Sequence, residues 1–216
     1  MNRREFSTAT GCLLAAASLG LPGLVLAQQG PKEGTDYKAL DKRVPVETAA
    51  GKIEVVEFFW YSCPHCNAFE PRLEAWSKRL PADVVLRRVP VAFRDDFVPQ
   101  QRLFYTLEAM NKLDDLHAKV FQAIHGERQP LNKEGLILAW ADKQGLDKAK
   151  FQELYNSFSV STKARRAAQL QDAFKVEGVP ALGIAGRYYT DGTMAGTMDR
   201  ALQVTDYLIA EARKSR

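Results

Sequence analysis

The chain has 216 residues, enough for one well-filled core or for one domain carrying an insertion. Its 46% hydrophobic and 26% charged residues are ordinary for a globular protein and exclude a disordered or fibrous chain. The net charge of +4 falls to +3 when residues 1–27, with Arg3, Arg4 and Glu5, are set aside, which is too mild to point to nucleic acid.

Residues 1–27 read as a cleaved export signal. Asn2-Arg3-Arg4 is a basic start, Cys12 to Leu26 is mostly Leu, Ala and Val, and Val25-Leu26-Ala27 fits a small-residue cleavage site before Gln28. Gly20, Pro22 and Gly23 interrupt the apolar run, which falls short of the roughly 20 residues a membrane span needs, the alternative being an uncleaved anchor. Arg3-Arg4-Glu5-Phe6 is compatible with twin-arginine export or with ordinary secretion. Cys12 leaves with the signal, so the exported protein keeps only Cys63 and Cys66.

Residues 28–36 are a polar leader, and Tyr37 to Leu40 has the look of a short edge strand. Ile53 to Trp60 is rich in β-branched and aromatic residues and reads as a strand. After it comes Cys63-Pro64-His65-Cys66, then Phe69, Leu73, Trp76 and Leu80 at helical spacing, with Pro71 removing one backbone hydrogen bond inside that helix. Val84 to Val91 is the next strand. From Val98 to Val176 the pattern turns helical: Leu103, Leu107 and Met110 mark one helix, and Leu116, Val120 and Ile124 a second. Leu136 to Trp140, stopped by Gly145, mark a third, Phe151, Leu154 and Phe158 a fourth, and Ala164 to Phe174 a last. Ala181 to Ala185 and Arg187 to Thr190 form a hairpin about Gly186, and Leu202, Thr205 and Leu208 lie on a closing amphipathic helix. This is an α/β chain with residues 28–97 and 177–216 enclosing a helical insertion at 98–176.

The chemistry concentrates at the strand-to-helix turn. Free amides and the positive end of the helix dipole favour negative charge there, so a thiolate on Cys63 is stabilised. Pro64 suits the first helical position, where its missing N–H costs nothing, and Cys63 is then the N-cap. His65 can add positive charge nearby, and each effect lowers a thiol pKa. A zinc pair is the competing reading, but zinc wants four ligands and the chain offers no second Cys pair and only His65, His117 and His125. Haem attachment requires His directly after the second Cys, where Asn67 stands. A structural disulfide closing so short a loop would stabilise little. A redox dithiol with no metal is the reading retained. Glu57 is an acid within an apolar run, and it is either an outward-facing strand residue or a buried functional group, with Arg88 the candidate to balance it. His117 and His125 read as surface or core polar residues, and Trp60 and Trp76 as packing.

Cys63-Pro64-His65-Cys66, Glu57 six residues earlier and Glu177-Gly178-Val179-Pro180 together resemble the DsbA family of bacterial periplasmic disulfide oxidases, over nearly all of the exported chain. The resemblance implies a thioredoxin fold, a central mixed sheet flanked by helices with an inserted all-helical subdomain. It also implies a redox-active Cys63–Cys66 disulfide with no other cofactor, and Glu57 as proton acceptor for Cys66. Pro180 would be a cis-proline beside the disulfide, exposing the Val179 backbone so that an extended substrate could add as a strand. Its expected partners are unfolded secreted proteins with free thiols and a quinone-linked membrane oxidase of the DsbB type, in the periplasm, with the protein a monomer. The alternatives are a periplasmic reductase, an isomerase, a metal chaperone, or a non-catalytic peptide-binding protein that inherits the fold. For the isomerase, only about 25 residues precede the strand region, too few for an added dimerisation domain.

Overall fold

The computed structural model describes residues 30–215, and the predicted export signal, residues 1–27 with Cys12, lies outside the described residues. Five strands form one sheet in the order β1-β5-β4-β2-β3. These are β1 (Lys38–Ala39), β2 (Ile53–Phe59), β3 (Val84–Pro90), β4 (Ala181–Ile184) and β5 (Tyr188–Asp191). β2 runs parallel to β3 and antiparallel to β4, while β5 is antiparallel to both β4 and β1. All seven residues of β2 are buried, as suits a strand covered on both faces.

The helices are α1 (Pro64–Ser77), α2 (Val98–Ala109), α3 (Leu113–Phe121), α4 (Glu134–Lys143), α5 (Lys148–Tyr155), α6 (Phe158–Ala173) and α7 (Met198–Lys214). Alternation along β2 divides the core. Ile53 and Val55 join Phe69, Leu73 and Trp76 of α1 and Leu208 of α7, while Val56 and Phe58 join the helices that follow β3. Burying a side chain of the size of Phe58 is worth about 1.5–3 kcal/mol, so this two-sided strand is the anchor of the fold. α1 and α7 are tied by the Trp76 indole N–H, which donates to Asp206 at 2.9 Å. With α2 to α6 lying between β3 and β4, this is the thioredoxin arrangement with a helical insert that the resemblance implies.

Two glycines shape the hairpin. Gly186 sits at φ +64°, and a Cβ there would strike the Val44 carbonyl, whose own amide donates to Gly186 O at 2.8 Å. A Cβ on Gly183 would run into the Phe174 ring.

One helix boundary differs from the periodicity reading. Phe158 does not belong with Phe151 on the fourth helix. Ser157 caps a new helix by accepting from the Val160 N–H, so α5 ends at Tyr155, which takes the buried place, and Phe158 is 79% exposed at the start of α6. A cap chosen by one hydroxyl overrode the apolar spacing. Ile124 also lies beyond α3, in a π-helical turn, Gln122–Gly126, that continues it.

Candidate active site

α1 begins where the sequence predicts, and its first turn is built around sulfur. Cys63 is the N-cap in extended conformation, Pro64 follows it, and Cys63 Sγ accepts from the Cys66 N–H at 3.4 Å. The Cys63 N–H donates to Trp60 O at 3.0 Å and closes the turn out of β2. Cys63 is 6% exposed and Cys66 fully buried, so an incoming thiolate meets Cys63. Both thiols are free. The hydrogen bond with Cys66, working against burial and joined by the amides of Cys66 and His65 and by the His65 charge, lowers the Cys63 pKa to about 6. Burial, the bond to Cys63, the Cys63 charge and Glu57 push Cys66 the other way. One turn of helix therefore holds one thiol poised as a thiolate and one held as a thiol.

The peptide bond between Val179 and Pro180 is cis, and the Val179 carbonyl lies 3.4 Å from Cys63 Sγ, placed to accept from its thiol. A shallow groove beside it is lined by His65, Gly178, Val179, Pro180, Gly192 and Met198. Asp191 and Thr193 complete its lining, which is more apolar than polar, and the two glycines leave room for an extended chain bound through main-chain hydrogen bonds.

Below Cys66 lies a buried polar floor. Glu57 is fully buried, which removes the outward-facing reading. The parallel register sets it beside Arg88 of β3, with Arg88 Nε 3.4 Å from Glu57 Oε2. The Arg88 guanidinium also donates to Glu70 at 2.6 Å and to Glu74 at 3.3 Å, both on α1. Burial and the neighbouring Glu70 charge raise Glu57 to about 8, Arg88 offsetting part of the rise. Burial works against ionisation of Glu70 as well, yet His117 and Arg88 hold it below the ordinary carboxylate range.

The helices after β3 grip the residues that precede Cys63. His117 Nδ1 is 2.8 Å from the Tyr61 hydroxyl, His125 Nε2 donates to Tyr61 O at 2.8 Å, and Gln100 donates to Ser62 Oγ at 2.7 Å. Trp60 stacks on Phe97 with ring centroids 3.9 Å apart.

The candidate site residues named from the sequence, Glu57, Cys63, Pro64, His65, Cys66, Val179 and Pro180, lie together here. The reading missed Tyr61, Glu70, Gln100 and the two histidines. Glu70 had a legible signal, since it follows Cys66 by four residues and so shares its helix face. His117 shares the buried face of α3 with Leu116 and Val120, but nothing in its neighbourhood points to a residue 56 positions away.

The DSBA-like thioredoxin domain family matches residues 54–203. The thiol:disulfide interchange protein DsbA of Bordetella pertussis is 45% identical over 209 residues, covering 96% of this chain and 99% of that protein. The crystal structure of Pseudomonas aeruginosa DsbA superposes with a TM-score of 0.80 at 41% identity, covering 84% of this chain and 94% of that one. The oxidoreductase DsbA from Xylella fastidiosa gives a TM-score of 0.79 at 29% identity, covering 85% and 98%.

Proposed function

This chain belongs to the DSBA-like thioredoxin family of thiol:disulfide oxidoreductases, and from that membership we propose that it donates its Cys63–Cys66 disulfide to unfolded proteins exported to the periplasm. The observation that carries the direction is the opposite tuning of the two thiols, Cys63 down to about 6 and Cys66 up. A disulfide whose reduced form gains a stabilised thiolate is an oxidant.

A substrate thiolate attacks Cys63 Sγ, the Cys63–Cys66 bond breaks, and Cys66 leaves as a thiolate in a buried place that cannot keep it charged. Glu57, an acid at neutral pH with its pKa near 8, supplies the proton. A second substrate thiolate then attacks the substrate sulfur of the mixed disulfide and releases Cys63 as its thiolate. The low pKa of Cys63 makes it a good leaving group. Two electrons have passed from the substrate dithiol to the enzyme. Reoxidation by a quinone-linked membrane partner of the DsbB type restores the disulfide, with Glu57 taking the Cys66 proton back. Val179 and Pro180 hold the substrate backbone beside Cys63, His65 adds charge at the mouth, and the protein acts as a monomer. Residues 1–27 direct export, and residues 98–176 form the inserted subdomain that closes over the turn before Cys63.

The test is the redox equilibrium of the exported form in glutathione buffers, read by Trp fluorescence, because Trp60 sits three residues before Cys63 in a rigid stack. A potential well above the glutathione couple is the expected result, about 30 mV corresponding to roughly 1.4 kcal/mol for this two-electron pair. A low, thioredoxin-like potential would make the protein a reductase.

A further inference from the structure

One fully buried acid, Glu57, and one partly buried acid, Glu70, meet a partly buried cation, Arg88, beneath Cys66. Arg88 reaches Glu57 at 3.4 Å through Nε and Glu70 at 2.6 Å through Nη2. Glu74, its third neighbour, is half exposed and also paired with Lys78 at 3.3 Å, so it answers to solvent. Ionising both acids beside a single guanidinium would leave an uncompensated negative charge, and the cost falls on Glu57, which is fully buried. One of the two must hold a proton.

The surroundings are not symmetric. Glu70 Oε1 accepts the short bond from Arg88, and Glu70 Oε2 faces His117 Nε2 at 3.5 Å. Neither oxygen of Glu57 has a hydrogen-bond partner, whereas Glu70 has one through Oε1, its Oε2 and His117 Nε2 facing each other at 3.5 Å without a hydrogen bond between them. Glu70 is thus solvated by the protein as an anion and Glu57 is not. His117 in turn is buried and ringed edge-on by Phe59, Phe104 and Phe121 at centroid distances of 5.3 to 6.1 Å. That setting favours the neutral imidazole. In a neutral ring only one nitrogen carries hydrogen. With the Tyr61 hydroxyl, 2.8 Å from Nδ1, as donor, the N–H falls on Nε2, which faces Glu70 Oε2 at 3.5 Å. The opposite tautomer would set a nitrogen lone pair against a carboxylate.

We propose that His117, held in its Nε2–H tautomer by Tyr61, is a positioning residue that makes Glu70 the anion and so assigns the single proton of the Glu57/Glu70 pair to Glu57, the acid beneath Cys66. The charged and titratable groups facing His117 are Tyr61, Glu70 and Glu74 of α1 and Arg88 of β3. The directions agree: Glu57 is raised, Glu70 is held low and His117 itself is lowered by burial. The use of that proton for Cys66 rests on the function proposed above, while its location does not.

The test is a residue-resolved carboxyl ¹³C NMR titration of the oxidised full-length exported protein, in which neither cysteine titrates. In the unsubstituted protein Glu57 titrates near pH 8 and Glu70 stays ionised well below it. In His117→Phe, Glu70 loses the polar N–H that faces it at 3.5 Å and competes for the proton. Its midpoint rises and that of Glu57 falls, by about one pH unit, a tenfold change in proton affinity. His117→Gln, which keeps an N–H donor, restores the original order. Tyr61→Phe releases the tautomer and moves both midpoints in the same directions as His117→Phe, and serves if the phenylalanine at 117 does not fold. The proposal is overturned if Glu70 carries the high-pH titration in the unsubstituted protein, or if both midpoints stay fixed in His117→Phe and Tyr61→Phe. A low redox potential with the predicted titrations intact would instead remove the oxidase reading and leave the proton assignment standing.

Discussion

Cys63 and Cys66 lie one helical turn apart, yet the mouth and the floor of the site are made of different materials. At the mouth, Cys63 is tuned by a neighbouring hydrogen bond and by the amides of its own helix terminus, and faced by the backbone carbonyl of Val179. The amides that tune Cys63 do not titrate, so that part of its field is the same at every pH even though Cys63 itself titrates at about 6. At the floor, Cys66 is governed by burial and by side chains drawn from β2, α1, β3 and α3, namely Glu57, Glu70, Arg88 and His117. These can exchange protons, and they lose their balance if one is removed. A thiol-exchange site needs both: a fixed field where the substrate's sulfur arrives, and a proton store where the leaving sulfur is hidden.

The sharpest separation of mouth from floor is the pair of cysteine substitutions. Cys63→Ser should abolish exchange altogether. Cys66→Ser should retain the reaction of Cys63 and accumulate mixed disulfides with substrate, visible as thiol-sensitive adducts on non-reducing gels. Failure to trap any adduct would remove the division of labour between the two thiols.

Next in size is Arg88→Met, which takes the guanidinium from the floor and leaves the mouth untouched. Breaking a fully buried ion pair from one side costs about 3–5 kcal/mol, which bounds from above the loss expected for this partly buried one, to be read by urea unfolding. The deficit should depend on pH in a definite sense. Glu70 is held below its ordinary value of 4.5 in the folded protein, so what it contributes is present above that value and is lost as pH falls through the folded pKa. The gap between the two proteins is therefore wider at neutral pH than in acid, and it narrows as pH falls through the folded pKa of Glu70. A gap that ignores pH would mean that Arg88 acts by packing alone.

His65→Ala is the smallest change and probes the mouth. The His65 charge is the least of the influences that lower Cys63, behind the Cys66 bond and the two amides. The thiolate absorbance of the reduced protein should titrate near pH 6 and rise by only a fraction of a pH unit in the variant. A midpoint returning towards 9 would show that side-chain charge, and not the helix terminus, sets the mouth.

Legibility follows the same division. The strand at Ile53–Phe59, the helix start at Pro64 and the N-cap role of Cys63 were all readable, because strand alternation, proline placement and capping act between residues close in sequence. The Glu57–Arg88 pairing was reachable once two strands were proposed, since parallel register sets them side by side. The helix boundary at Ser157 was misjudged because Phe158 fits the apolar spacing, while a single hydroxyl cap decides where the chain turns. Gln100, His117 and His125 carried no local sign of their roles. Each acts on Tyr61 or Ser62 across 38 to 64 residues.

What the chain alone determined is the reactive turn: two cysteines at a helix start, with the thiolate of the first stabilised by the peptide groups that follow it. Where the proton goes was decided only by the fold. A buried carboxyl, a guanidinium and an imidazole have proton affinities set by distance and desolvation, and those exist only when β2, β3, α1 and α3 have packed together.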